Sequence, residues 1–261
     1  MLRSLYTAAS GMDAQQLKMD VTANNLANAS TTGFKKERAE FEDLMAEQLA
    51  APGAPGAATP GAPSPLEVGL GVRAAATTGG MAQGELVGTQ NPFDVAIEGA
   101  GYLAVRQPGG ELAYTRAGNL RVDATGRLVT AHGELVDPEI TVPTDALSVV
   151  INRDGTVQAR TPGKDTLEDL GTLELTLFPN PGGLTSQGRN LLAPSAASGE
   201  PMRVKPGEQG AGFLSQGYLE NSNVQAVEEM VDLISTQRAY ELNSKVIQTA
   251  DQMLQRLTSL R

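Results

Sequence analysis

Val224-Gln-Ala-Val-Glu-Glu-Met-Val-Asp-Leu-Ile-Ser-Thr-Gln-Arg-Ala-Tyr-Glu-Leu-Asn-Ser-Lys-Val-Ile-Gln-Thr-Ala-Asp-Gln-Met-Leu-Gln-Arg-Leu257 holds neither glycine nor proline. Leu233, Tyr240, Ile247 and Leu254 recur every seven residues, with Leu257 one step on, which predicts a long helix with a coiled-coil-type seam. Ser222 and Gln225 have capping-box spacing, placing the start near Val224. Acids come first (Glu228, Glu229, Asp232) and bases later (Lys245, Arg256, Arg261), as the helix dipole favours, and Glu241 and Lys245 have the favourable i,i+4 order. Roughly 36 residues at 1.5 Å each would span about 54 Å.

The other end carries a weaker version of the same pattern. From Leu2 to about Asn28 there is no proline and a single glycine, Gly11. Leu5, Ala9, Met12, Met19, Ala23 and Leu26 follow alternating four-and-three spacing, with Gln16 filling the missing step. The stripe is narrow and rich in weak helix formers, so this helix is predicted to be marginal by itself. The polar seam residues Gln16, Gln237, Ser244 and Asp251 suit register better than burial, which favours pairing among helices over a monomer core.

Between the ends the period changes to two. Asp94–Glu98, Tyr102–Arg106, Leu112–Arg116, Leu120–Asp123, Arg127–Thr130, Leu147–Asn152, Thr156–Arg160 and Thr172–Phe178 alternate or run apolar, and turn residues such as Pro108-Gly-Gly110, Ala124-Thr-Gly126 and Arg153-Asp-Gly155 separate most of them. An antiparallel meander or small barrel is expected. Ala50–Pro65, almost entirely Pro, Gly and Ala, reads as an extended arm or linker. The fold class is therefore α+β: long terminal helices in a coiled-coil-like layer, a Pro/Gly-rich arm and a central antiparallel β domain. The expected divisions are 1–30 with 224–261 (helical assembly), 31–72 with 210–223 (extended connections) and 73–209 (β).

Composition narrows the chemistry. The 261 residues carry a formal charge of −10, no cysteine and one histidine. That acidity argues against nucleic acid or an anionic membrane as a partner. Without cysteine there is no disulfide, thiolate nucleophile or iron–sulfur cluster, and one histidine rules out a multi-histidine metal site. No run is long and apolar enough to span a bilayer, and the N-terminus does not read as a cleavable signal. His132 reads as a turn residue. Gly99-Ala-Gly101 precedes a strand, Pro162-Gly-Lys-Asp165 lacks phosphate-loop spacing, and Asp123 and Asp154 lack the alternating carboxylates of a calcium loop. No catalytic, cofactor or metal residue is expected, and no enzyme.

Val21-Thr-Ala-Asn-Asn-Leu-Ala-Asn-Ala-Ser-Thr-Thr-Gly-Phe-Lys35 resembles the N-terminal signature of bacterial flagellar rod and hook proteins. Gly217-Tyr-Leu-Glu-Asn-Ser-Asn-Val224, Val227–Val231 and Thr236-Gln-Arg-Ala-Tyr-Glu-Leu-Asn-Ser-Lys245 resemble the same family's other end. Its motif residues here are Asn24, Asn25, Asn28, Gly33, Phe34, Asn223, Gln237, Arg238, Tyr240 and Asn243. Length, Asn91–Val105 and Tyr114-Thr-Arg-Ala-Gly-Asn119 are most similar to the distal rod members; the hook protein is longer, and proximal members lack an arm like residues 46–65.

The resemblance implies a structural subunit that builds a helical tube, with terminal helices inside and the β domain as outer wall. It would carry torque from motor to hook. Implied partners are copies of itself, proximal rod and hook proteins, the P-ring and L-ring bushings and the type III export apparatus. The implied location is the basal body, from periplasm to outer membrane, reached without a cleavable signal. On this reading the three asparagines satisfy polar groups where the first helix ends, and Gly33 supplies the turn. The rivals are a proximal rod subunit, a secreted trimeric adhesin and a peptidoglycan-opening enzyme.

Overall fold

A computed structural model describes residues 2–50, 66–163 and 166–259 of the chain. They form two compact units: the described residues of Met1–Ala27, Glu37–Thr78 and Gln225–Arg261, and those of Asn28–Lys36 and Gly79–Val224. The class is α+β, with a helix at each end and an antiparallel β region between them.

In the helical unit, α1 spans Leu2–Ala27 and α2 spans Ala226–Ser259. They pack antiparallel: Asn25 meets Glu229, while Gly11 lies under Asn243, where a Cβ would stand 2.9 Å from the amide nitrogen. The buried stripe is made of small and polar residues: Ala8, Ala14, Thr22 and Asn25 on α1, and Glu229, Thr236 and Ala250 on α2. Small side chains let the backbones approach closely but bury little apolar surface. The larger seam residues flank that stripe. Leu5, Met12, Met19, Leu26, Leu233 and Ile247 are half-buried, while Ala9 and Tyr240 are exposed. The side chains of Leu254 and Leu257 lie outside the described residues.

Ser222 does not cap α2. The helix begins at Ala226, and the Ser222 hydroxyl accepts the Val224 N–H instead (3.3 Å), a local turn bond that competes with capping. Glu241 and Lys245 form no ion pair either; both are solvated, where such pairs gain little.

The segment expected to be merely extended contains strands. Glu37–Asp43 pairs with Val72–Gly79, and Glu47–Ala50 pairs antiparallel with Leu66–Val68. Ser10 Oγ accepts the Val72 N–H (3.4 Å), and a Cβ on Gly71 would fall 2.2 Å from that oxygen, so only glycine passes α1 there. The arm residues 51–65 lie outside the described residues, as do Lys164 and Asp165 of the Pro162-Gly-Lys-Asp165 turn.

The β unit is a meander whose central strands are Leu112–Thr115, Tyr102–Arg106, Leu135–Asp137 and Leu128–Val129, hydrogen-bonded in that order. A second sheet holds Ser148–Ile151, Thr156–Arg160 and Glu168–Thr172. Between them lies a core of Ile97, Leu103, Leu128, Ile140, Val157 and Leu175. Thr172–Phe178, which reads as one strand, is two. Thr172 ends Glu168–Thr172 and Leu175–Leu177 belongs to the larger sheet, because the chain crosses the core at Leu173 and its N–H turns to Gly155 O (2.7 Å).

One turn recurs four times: Gln107–Glu111, Asp123–Arg127, Thr130–Glu134 and Asn152–Thr156. In each, the first residue's N–H reaches the fifth residue's carbonyl at 2.8–2.9 Å, and the fourth residue is a glycine with φ between +85° and +91°. This is a type I turn closed by a left-handed residue. Asp123 and Asp154 cap two of these turns and do not belong to a calcium loop. Thr125 donates its hydroxyl and N–H to Asp123, both at 2.7 Å, and Arg127 adds its N–H at 3.0 Å. Thr156 gives Asp154 the same pair at 2.7 and 3.1 Å.

The Thr125 hydroxyl, then the Arg127 N–H, holds the Asp123 carboxyl well below the usual carboxylate range; the Thr156 hydroxyl lowers Asp154. A depressed carboxyl stabilises the fold above its unfolded pKa, about 3.9, and that contribution disappears as pH falls through the folded value. The urea midpoint of the β unit is therefore expected to hold between pH 7 and 5 and to fall below about pH 4. In Asp123→Asn/Asp154→Asn the fall should be shallower; an unchanged profile would remove these caps from the account.

Candidate functional site

In the β unit, Glu220 ends strand Tyr218–Glu220 with its side chain wholly buried. Arg116 Nη1 donates to both carboxylate oxygens (3.3 and 3.2 Å), and Lys35 Nζ and the Gly84 N–H (2.9 Å) donate to Oε1. Two cations on one carboxylate leave a surplus positive charge, which backbone carbonyls offset. Arg116 donates Nε to Gly101 O (3.0 Å) and Nη2 to Gly99 O, and Lys35 Nζ donates to Ala82 O (2.8 Å). The guanidinium also lies 5.5 Å from the centre of the Tyr102 ring, a cation–π distance. Burial pushes the Lys35 ammonium below its ordinary pKa against the opposing pull of Glu220, and burial raises Tyr102.

Backbone bonds lock the same three segments together. The Gly33 N–H donates to Glu220 O (2.8 Å). Its φ of +71° and a Cβ position 2.8 Å from Ala117 N make any other residue strained there. Asn223 Oδ1 accepts the Lys36 N–H (2.6 Å), and its Nδ2 donates to Gly80 O and Ala82 O, both at 3.0 Å. The Asn223 N–H points to Phe34 O at 3.4 Å. Residues 33–36, 80–84 and 220–223 thus form one clasp, closed on a buried ion cluster.

A second polar centre lies in the helical unit. Asn25, 1% exposed, accepts the Glu37 N–H (2.9 Å) and donates to Glu37 O (2.8 Å) and Glu229 Oε2 (3.1 Å). It ties α1 to α2 and to strand Glu37–Asp43. Asn28 Oδ1 accepts the Thr31 hydroxyl (3.1 Å), Phe34 and Asn243 are half-buried, and Asn24, Gln237 and Arg238 are exposed.

The motifs named Gly33 and Asn223 but not the charges between them. Lys35, Arg116 and Glu220 each sit inside one of the family-like motifs; Arg116 and Glu220 are lone charges among small or neutral residues, whereas Lys35 opens the charged run Lys35-Lys36-Glu37-Arg38. Isolation is the signal that could have marked Arg116 and Glu220, and Lys35 carried none. The structure brings them together from positions 81 and 104 residues apart along the chain.

Each hydrogen bond described for the clasp runs to another part of the same chain. His132 is exposed at a turn tip, and among the described residues no group of three His, Cys, Asp or Glu side chains could hold a metal ion. No helix among them is long and apolar enough to cross a membrane. The arrangement fixes the chain's own segments against one another.

Three families match distinct parts of the chain: "Flagella basal body rod protein" over residues 5–35, "Flagellar hook protein FlgE/F/G D1 domain" over 96–159 and "Flagellar basal body rod FlgEFG protein C-terminal" over 215–260. Lys35, Arg116 and Glu220 come one from each. Relatives named flagellar basal-body rod protein FlgG are similar over the full length of both chains: 46% identical in Buchnera aphidicola subsp. Schizaphis graminum, 46% in Caulobacter vibrioides and 39% in Bacillus subtilis. The chain belongs to the flagellar basal-body rod protein family. That family is structural, not enzymatic.

Proposed function

We infer that this chain is a subunit of the distal rod, polymerising through its terminal helices into a helical tube that carries torque from motor to hook. The observation that carries this reading is the outward surface of the helix pair. Tyr6 is 79% exposed on α1, and Val227, Val231, Ile234 and Leu242 are 50–73% exposed on α2. A lone chain leaves these side chains in water, whereas neighbouring copies would cover them at about 25 cal/mol per Å².

On this reading residues 1–30 and 224–261 form the inner coiled-coil-like layer, 31–72 and 210–223 the connections, and 73–209 the outer wall. The arm, roughly Glu47–Val68, packs between subunits. The subunit leaves the cell through the type III export apparatus and extends from the periplasm to the outer membrane, between the proximal rod and the hook and inside the P- and L-ring bushings. A proximal position is not favoured, since the relatives similar over the full length are named flagellar basal-body rod protein FlgG.

Ile247 is half-buried on α2. An aspartate there places a charge on a surface that assembly would dry, at a cost of several kcal/mol unless paired. Ile247→Asp is expected to leave the β-unit circular dichroism intact and to abolish rods in electron micrographs of basal bodies. Rods of normal length from this variant would sink the helical-layer reading.

A further inference from the structure

The outward face of α1 carries acids and that of α2 carries bases at a matching interval, with one acid, Glu241, between the two bases. Asp13 and Asp20, seven residues apart, are exposed on the α1 face turned away from α2. Arg238 and Lys245, also seven apart, are exposed on the α2 face turned away from α1. Seven residues is two helical turns, so each pair forms a short row about 10.5 Å long. None of the four takes part in an ion pair or side-chain hydrogen bond among the described residues. The apolar exposed residues lie on the same faces: Tyr6 on α1, and Val231, Ile234 and Met253 on α2.

We propose that α2 of one copy docks its outward face on the outward face of α1 of the next copy, antiparallel, pairing Lys245 with Asp13 and Arg238 with Asp20. The proposal rests on the rod reading and specifies its interface. Within one chain α1 and α2 are antiparallel, so copies pointing the same way along a tube necessarily present α2 antiparallel to a neighbour's α1. With Lys245 opposite Asp13, the seven-residue spacing sets Arg238 opposite Asp20. The same register brings Ala27 opposite Val231, and Tyr6 opposite Gln252, one residue from Met253. Arg3, at the far end, is already neutralised by Glu47 at 2.8 Å. Two different faces meet, so the contact does not close on itself, and repetition gives an open filament. A shift of three or four residues would set Glu241 opposite Asp20 or Asp13, and such opposed like charges disfavour those registers.

The test uses full-length chains in a host lacking its own copy of the gene, with rods counted in isolated basal bodies. Asp13→Lys/Asp20→Lys offers two basic faces, and Arg238→Glu/Lys245→Glu offers two acidic ones. Each alone is expected to reduce completed rods about tenfold or more while circular dichroism shows an unchanged fold, because all four positions are exposed. Co-expression of the two is expected to restore rods, since each variant's faces complement the other's and an alternating filament can grow. That rescue also shows that both variants reach the growing end. Rods at wild-type number from either variant alone, or no rescue on co-expression, would overturn the charge-matched interface while leaving the rod reading in place. Complete rods in the host lacking the gene would overturn the rod reading itself.

Discussion

Glu220→Ala is expected to cost the β unit about 3–5 kcal/mol, because it leaves Arg116 and Lys35 buried without their shared counter-charge. For a unit of this size that corresponds to a fall in melting temperature of roughly 6–20 °C. The contrast with Lys35→Met separates charge from packing. Burial already disfavours the Lys35 ammonium, and without it Glu220 still accepts two bonds from Arg116 and one from the Gly84 N–H. Lys35→Met should therefore lose only about 1 kcal/mol. Thermal and urea unfolding followed by near-ultraviolet dichroism of Tyr102 and Tyr114, which pack close to Phe178, would report the β unit. Equal losses for the two substitutions would mean that the cluster acts through shape and not through its charge balance.

The helices are legible because a proline-free heptad pattern, interrupted by one glycine at Gly11, has few competing readings, and the strands because four glycines mark the same five-residue turn. Legibility fails where a local signal has two outcomes. Thr172–Phe178 alternates correctly for a strand, but alternation cannot show that the chain changes sheets at Leu173. Ser222 has the right spacing for a cap, yet the nearer Val224 N–H captures its hydroxyl. Glu47–Ala50 and Leu66–Val68 pair although a Pro/Gly-rich run separates them, because pairing depends on the partner strand rather than on the connection.

The clasp was hidden for a related reason. Lys35, Arg116 and Glu220 have no mutual period, and no spacing rule links residues 185 positions apart. The motifs pointed to the correct segments but for their asparagines and glycines. Those residues position the backbone, and the charges they enclose set the energy. The seam read from the heptads is also displaced from the stripe that closes α1 on α2. Small residues bring the backbones together, and the large ones stay at the flanks and outside, where a single chain leaves them uncovered.

Asn25→Asp is expected to have the largest effect on the helical unit, and an effect of particular pH dependence. The aspartate keeps the acceptor for the Glu37 N–H but loses both donors, to Glu37 O and to Glu229 Oε2. It also sets a second carboxylate about 3 Å from the Glu229 carboxylate in a water-excluded position. Two carboxylates that close cannot both stay ionised, so one takes a raised pKa shared by the pair. A carboxyl whose folded pKa exceeds its unfolded value near 4 binds more protons folded than unfolded, so stability falls as pH rises between those two values. The variant should thus be most impaired at neutral pH, by about 3 kcal/mol or more, and regain helix as pH drops towards 5. Asn25→Ala loses both donors and the acceptor for the Glu37 N–H without adding a charge, and should show a smaller loss with a weaker pH dependence than Asn25→Asp. α1 is marginal alone, so the loss reads directly as ellipticity at 222 nm and as faster amide exchange in Leu2–Ala27. Identical pH profiles for Asn25→Asp and the natural chain would show that Asn25 and Glu229 do not meet in solution, and that the helix pair is held by its apolar flanks alone.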